Sequence, residues 1–320
     1  MLLDTGEYVQ RLRKDYLESF VGDGGSAVKF VAYDNTDAGS RFMAELSSAA
    51  DDQGYLHFGL DARRVRVHLV NEIYVALSRA IDWDDLAARF VQRGYRQLGL
   101  HTGLDALAVR AVAEAQSLVP AELYRSMRRY LERSVLGDPR LTRDFRVAVL
   151  RLCQAKLDWG EVDALEHAAV LDWLTGRQVS PVRLRSLGIG SRIVRHNARH
   201  LLGSLGHWVR RAGNPGLVLR LDVTRLGVTR RPPQRDGHHY TKAMTLDAYE
   251  VLRQFIDSLD ELAGVLLVVV LPGGMAHDRQ RGLTAYRALH QRVVSEISDR
   301  RRANPMASLV RITDVRGPVS

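Results

Sequence analysis

Residues 27–46, "AVKFVAYDNTDAGSRFMAEL", carry residue types in the order from which a phosphate-binding turn is built. A short apolar run leads into an Asp/Asn/Thr/Gly/Ser turn, and the turn leads into a helical pattern. A working phosphate loop joins strand to helix through glycines, so that backbone N–H groups and the helix N-terminus cradle the anion. Its lysine reaches the β/γ-phosphates and its Ser/Thr hydroxyl holds magnesium. The candidate loop here runs Tyr33, Asp34, Asn35, Thr36, Asp37, Ala38, Gly39, Ser40. Ser40 stands at the hydroxyl position, but Gly39 stands where the lysine belongs, Tyr33 takes the first loop position and Ala38 the sixth. No G-x-x-x-x-G-K-[ST] occurs anywhere in the chain. By motif alone, an ordinary strand-to-helix turn accounts for the segment.

The second piece is "GLVLRLDV", residues 216–223, an apolar strand ending in an acid. That is how a magnesium-orienting carboxylate is displayed beside a phosphate loop, and Asp222 fits the role; so does a plain strand-end turn. The next residue, where a hydrolytic enzyme places a glutamate to polarise water, is Val223. Valine neither accepts nor relays a proton, so general-base chemistry from that position is excluded. Directly after it, "RLGVTRRPPQRDGHHYTK" places Arg225, Arg230, Arg231, Arg235 and Lys242 in a Pro- and Gly-containing loop. These cations suit a phosphate backbone, each neutralised phosphate steepening the salt dependence by about one unit; a solvated surface loop is the plain alternative. His196, His200 and His207 fall at i, i+4 and i+11 on one helix face. With arginines at 192, 195 and 199 beside them and no acid or cysteine nearby in sequence, no metal site is expected there. A basic face meeting nucleic acid or a partner, or a solvated face, fits better. "LPGGMAHDRQRG" after the most apolar strand offers Gly273 and Gly274 but no side-chain donor at the position where a polar residue would sense a γ-phosphate. Arg287 and Arg292, on the helix that follows, read as surface or packing cations rather than as a finger for a neighbouring subunit's nucleotide. No nucleophile elbow G-x-S-x-G and no H-E-x-x-H is present.

The elements that must position these groups follow from periodicity. Residues 5–20 fit a helix with Tyr8, Leu12, Tyr16 and Phe20 on one face. "AVKFVAY" reads as a buried strand, 38–52 as a helix, "YLHFGLD" (55–61) as a second strand. From about 66 to 213 the pattern is helical, broken at Gly94, Gly103, Pro120, Pro139, Gly160 and Pro181. β character returns at 216–223, and helices are expected at 245–262 and 283–300. The segment 264–271, apolar at consecutive positions, reads as a central parallel strand, and "SLVRIT" (308–313) as a last one. Strands separated by helices predict a parallel sheet covered on both faces, with the helical block inserted between its second and third strands.

The chain has 320 residues, 46% hydrophobic and 26% charged, enough for one large domain or two ordinary ones. No apolar run is long enough for a membrane span, and acids at Asp4 and Glu7 leave no signal-peptide core, so a cytoplasmic location without membrane partners is expected. The single cysteine, Cys153, excludes an intrachain disulfide and reads as a small core residue. The net charge of +9 is carried almost wholly by arginine; this suits a polyanionic partner, though arginine also tracks a GC-rich genome.

The order of the pieces resembles the ATP-binding proteins of BREX-type phage-defence loci, a P-loop ATPase family related to AAA+ and origin-recognition ATPases. "YLESFVGDGGSAVKFVAYD" and "RFMAEL" flank the loop; "GLDARRVRVHLVNEIYVAL" is similar to the family's second strand and following helix. "LTGRQVSPVRLRSLGIGSRIVRHNARHLLGSLGHWVRRAGNPGLVLRLDV" resembles its approach to the acidic strand, and "AYEVLRQFIDSLDELAGVLLVVVLPGGM" with "LTAYRALHQRV" its C-terminal part. The resemblance spans about residues 16–60 and 170–296, the helical middle being only loosely comparable.

It implies a P-loop, AAA+-like α/β parallel sheet with a long all-helical insertion: 1–65 and 214–320 as the two parts of the α/β domain, 66–213 as the insertion. It places the remnant of a nucleotide site at Tyr33 to Ser40 and Asp222, with Asp34 and Ser40 suiting the family pattern and Tyr33, Ala38, Gly39 and Val223 departing from it. Loss of the lysine forfeits a charge-assisted contact of about 1.5–3 kcal/mol. The implied protein is a pseudo-ATPase with no catalytic residue, no metal site of its own, and at most residual ATP and magnesium binding. Its implied partners are other subunits of a defence complex, an active P-loop relative among them, in an oligomer or hetero-complex, with DNA as a candidate ligand. Two rivals stand beside it: an active NTPase in which Lys29, Arg41 or a neighbouring subunit replaces the lysine, and a nucleic-acid-binding module on a P-loop scaffold.

Overall fold

The computed structural model describes residues 2–231, 233, 236–294 and 306–314. The chain divides into two compact units, Met1–Ile73 with Asn214–Ser320, and Tyr74–Gly213.

The first unit is built on six parallel strands: β1 (Leu3–Asp4), β2 (Ala27–Tyr33), β3 (Leu56–Asp61), β4 (Leu217–Asp222), β5 (Val265–Pro272) and β6 (Leu309–Thr313). Their order is β1-β6-β2-β5-β4-β3, the parallel, P-loop-NTPase-like α/β arrangement expected. Strands β2, β4 and β5 are apolar at most consecutive positions because both faces of the sheet are covered; β5 is buried over its first seven residues. Helix α1 (Thr5–Arg11), its π-wound continuation Leu12–Phe20, and α2 (Thr36–Asp52) close one face over Val31, Val218, Leu266, Val268, Val270, Val310 and Ile312. The right-handedness of crossovers between parallel strands assigns α11 (Lys242–Asp257) and α12 (Arg287–Val294) to the opposite face.

Phe20 departs from the expected stripe and is 51% exposed. From Leu12 the backbone winds i→i+5, as in Val21 N–H to Tyr16 O at 2.8 Å. The buried residues there are accordingly spaced by five, Leu12 with Leu17 and Tyr16 with Val21.

The chain leaving β2 runs through α2 to β3 at the far edge, whereas the chain leaving β5 crosses to β6 on the other side of β2. The connections from these two neighbouring strands therefore run in opposite directions across the sheet, the arrangement of a topological switch point at the strand C-termini. Open parallel sheets bind ligands at such a switch point.

The second unit is helical: α4 (Trp83–Gln97), α5 (Val109–Ala115), α6 (Pro120–Leu131), α7 (Arg143–Leu157), α8 (Ala164–Leu174), α9 (Pro181–Leu187) and α10 (Arg195–Ala212), with α3 (Val70–Arg79) running into it. Pro120 and Pro181 begin helices, as the missing N–H allows. Gly94 does not break one. It lies inside α4, where a Cβ would stand 2.6 Å from the Tyr130 ring, so its role is close packing. The unit's core stacks Phe90 on Trp208 at 4.6 Å and Trp83 edge-on to Phe145 at 5.9 Å. Cys153 is fully buried among them on α7, and burial pushes its thiol pKa up.

Candidate functional site

The segment expected as an eight-residue loop is mostly helix. β2 ends at Tyr33 and α2 begins at Thr36, so only Asp34 and Asn35 connect them. Thr36, Asp37, Ala38, Gly39 and Ser40 form the first helical turn and the start of the next. The cause is local: Asn35 is an N-cap, in extended backbone with φ −138°, and its Oδ1 accepts the Ala38 N–H at 2.8 Å. No glycine precedes Gly39 in this segment to let the backbone wrap outward before the helix starts.

Tyr33 turns its ring onto the helix. A Cβ on Gly39 would lie 2.8 Å from Tyr33 Cδ1 and 2.9 Å from Cγ, so ring and glycine are in direct contact. The phenol then meets the Thr224 hydroxyl at 3.1 Å, spanning from β2 to the turn after β4. Burial raises the Tyr33 pKa; the Thr224 bond works against this, and the Asp222 charge adds to it. The phenol therefore stays neutral. Asp34 points the other way, to Arg311 of β6 at 3.0 Å.

An open pocket of about 310 Å³ lies beside this ring, lined by Thr36, Ser40, Asp61, Arg63, Asp222 and Arg225 among others. Asp61 and Asp222 are register partners on the neighbouring strands β3 and β4. Each carboxylate receives a nearby backbone N–H: Asp222 Oδ1 from Thr224 at 2.8 Å, Asp61 Oδ1 from Arg63 at 2.7 Å. Val223 is fully buried, its N–H given to Val270 O at 3.0 Å. The pocket thus gathers two carboxylates, the guanidinium groups of Arg63 and Arg225, and several hydroxyls around a neutral phenol. The side chain following Asp222 cannot take a proton.

The basic stretch after β4 does not act as one group. Arg225 Nε donates to His238 O at 2.7 Å and its Nη2 to Asp236 O at 2.9 Å, so its fork closes the loop on itself. Arg281 does the same from outside, one Nη1 serving the carbonyls of Leu226, Val228 and Tyr240. Arg230, Arg231 and Lys242 are exposed. Arg235 lies outside the described residues. Desolvation together with Arg281, Arg231 and Arg225 lowers the pKa of His239 between them.

The cations considered as lysine substitutes are engaged elsewhere. Lys29 is 3% exposed; its Nζ donates to Met306 O at 2.6 Å and Ala307 O at 3.1 Å and lies over the Tyr16 ring. Arg41 pairs with Glu45 at 2.7 Å and Asp314 at 3.3 Å. Arg292 pairs with Asp257 between α12 and α11.

In the helical unit the three histidines separate. His196 and His200 are exposed, whereas His207 is 8% exposed and meets Asp138 at 2.7 Å. An acid does therefore reach this helix, brought from a turn 69 residues away. Burial opposes ionisation of Asp138, but the His207 bond, the Arg140 N–H and the Arg211 charge together hold its carboxyl below the usual range. Among the described residues no three potential ligands gather as a metal site.

Two pocket residues, Asp61 and Arg63, and one part-buried cation outside the pocket lining, Arg220, were not singled out by the sequence. Asp61 ends "YLHFGLD" in the same way that Asp222 ends its strand, a signal that was there to read. Arg63 follows it. Arg220 interrupts an apolar strand: its Nη1 donates to Met43 O at 2.9 Å under α2, and its guanidinium fills the space over Gly59. Burial lowers its pKa, while Asp222 works against that shift.

A family model described as BREX system ATP-binding protein BrxC/D matches residues 104–316, more than half of the chain. The match takes in the helical middle and Asp222 and begins after the Tyr33–Ser40 segment. No curated protein and no solved structure shows a significant match. Among the described residues no helix is long and apolar enough to cross a membrane.

Proposed function

Since the chain belongs to the family of BREX system ATP-binding proteins BrxC/D, we propose that it serves a phage-defence complex as a degenerate subunit that acts through contacts with other subunits and does not turn over ATP. The observation that carries this reading is the β2–α2 connection. A two-residue turn, a side-chain cap on Ala38 N–H, and the Tyr33 ring on Gly39 take the space and the donors that a triphosphate would need. Asp37 adds negative charge to the first helical turn, where an incoming phosphate would meet it. Ser40 and Asp222 are the groups suited to magnesium, and both line the pocket. Without a lysine or a glutamate beside Asp222, the residues present do not fit a hydrolytic site.

The active-NTPase rival gains no support, and the loop after β4 lends none to the nucleic-acid rival. Lys29 and Arg41, the in-chain substitutes for the lysine, are held by carbonyls and carboxylates elsewhere. Arg225, the first cation of the supposed nucleic-acid loop, is spent on its own loop. The test is ATP hydrolysis with magnesium, with Asp222→Ala as the control. The expected result is a rate indistinguishable from the control. Turnover above blank that Asp222→Ala abolishes would overturn the proposal.

A further inference from the structure

From Trp173 to Leu221 the chain contains no aspartate or glutamate and nine arginines. Any negative charge near this stretch must come from other elements, and α10 is where the structure shows what arrives. The segment 138–144 runs antiparallel along α10, pinned at one end by Asp138 on His207 and at the other by Asp144 on the turn before the helix. Between them Thr142 N–H bonds Ser204 Oγ at 2.9 Å.

Both acids face inward and are used. Asp144 accepts the N–H groups of Gly190 and Ser191 at 3.0 Å each and the Ser191 hydroxyl at 2.8 Å. Asp138 is taken by His207, with Arg211 at 3.9 Å. The arginines interleaved with them point outward. Arg140, Arg143, Arg192 and Arg195 are all exposed. Arg143 and the Gly190 turn are direct neighbours, a Cβ there lying 4.0 Å from Arg143 Nη1. Exposed His196 and His200 sit along the same helix. The twelve steps along the helix from Arg195 to His207 span about 18 Å, so the cations form a stripe rather than a point. The first turn of α10 carries no acid, and its positive end reinforces the field.

Solvated surfaces normally mix signs, and exposed arginines usually find carboxylates three or four residues away. This surface instead buries its acids on its own backbone and leaves four guanidinium groups of fixed charge exposed. We propose that the α7–α10 face of the helical unit, through Arg140, Arg143, Arg192 and Arg195, binds the phosphate backbone of duplex DNA. A row of phosphates is favoured over an acidic protein because the face offers four guanidinium forks, with Val194 as the one exposed hydrophobic side chain between them. This surface is distinct from the strand-end pocket and from the loop after β4, and the inference does not depend on the pocket's state.

The test is fluorescence anisotropy of the whole chain with a labelled duplex of arbitrary sequence, titrated at about 50 and 200 mM salt. Four neutralised phosphates predict at least about a hundredfold weakening over that range. Replacing the set by Arg140→Gln, Arg143→Gln, Arg192→Gln and Arg195→Gln should lower the slope of log K against log salt by about 3–4. Arg230→Gln with Arg231→Gln should leave the slope unchanged. An unchanged melting temperature shows that each variant is folded. Three results would overturn the proposal: no binding at the lower salt, an unaltered slope in the folded four-site variant, or tighter binding of poly-glutamate than of DNA, which would make the face a protein-docking surface.

Discussion

If the Tyr33 ring rests on Gly39, then adding one methyl group at Gly39 must disturb the ring, and removing the ring must make that methyl group welcome. In an isolated helix Gly→Ala gains about 0.8–1.0 kcal/mol of propensity. Here the new Cβ would stand 2.8 Å from Tyr33 Cδ1, 2.9 Å from Cγ and 3.1 Å from Cε1. The ring has to slide outward, at an overpacking cost of about 1–3 kcal/mol, and its 3.1 Å contact with Thr224 is put at risk. Gly39→Ala alone should therefore range from neutral to about 2 kcal/mol destabilising. In a Tyr33→Ala background the clash is gone, and the same change should stabilise by about 1 kcal/mol. The assay is urea unfolding of wild type, both single variants and the double variant, followed by circular dichroism. The cycle should return a coupling of about 1–3 kcal/mol with a change of sign for the alanine. If Gly39→Ala stabilises the wild-type chain by its full propensity gain, the ring does not rest on Gly39 and the reasoning fails.

Acid stability should depend on Glu250. A hydrogen bond from Arg253, against a smaller cost of burial and aided by Tyr286 and Gln254, holds its carboxyl at about 2, below the ordinary 4.5. A depressed carboxyl contributes stability above its unfolded value and loses it as pH falls through the folded one. The acid limb of the melting curve between about 4.5 and 2 should flatten in Glu250→Gln; an unchanged limb would mean that the pairing with Arg253 and Tyr286 contributes nothing. Lys29→Met should destabilise by about 1–3 kcal/mol through the Met306 and Ala307 carbonyls left without their donor, and should not alter any response to nucleotide. A Lys29→Met variant that loses an ATP response present in wild type would restore the active-NTPase alternative.

The parallel sheet was legible because strands covered on both faces must be apolar at consecutive positions, as "GVLLVVVL" is. β1 was not, since two residues carry no period; Leu3 and Asp4 become a strand only by pairing with Ile312 and Thr313. Phe20 was misplaced because a spacing of four presumes α winding, and the chain changes to five from Leu12. The short connection at Asp34–Asn35 had a visible cue, an Asn whose side chain can reach the N–H three residues on, which the glycine-and-lysine pattern of a phosphate loop does not contain. Asp61 was legible by the rule that picked out Asp222. Arg225 was not: the types in a basic loop do not say whether a guanidinium faces solvent or its own carbonyls. Asp138 and His207 meet only through tertiary packing, which no local pattern in either segment announces.

The central proposal is that the pocket beside the Tyr33 ring, at the ends of β2, β3 and β4, does not hold ATP. The most direct measurement is the melting temperature of nucleotide-free protein with and without millimolar ATP and magnesium. A ligand at a hundred times its dissociation constant stabilises by about 2.7 kcal/mol, which for a chain of this size raises the melting temperature by about 4 °C. The account predicts no shift. A shift of that size, abolished by Ser40→Ala or Asp222→Ala, would contradict it and show that the capped, lysine-free turn still holds phosphate.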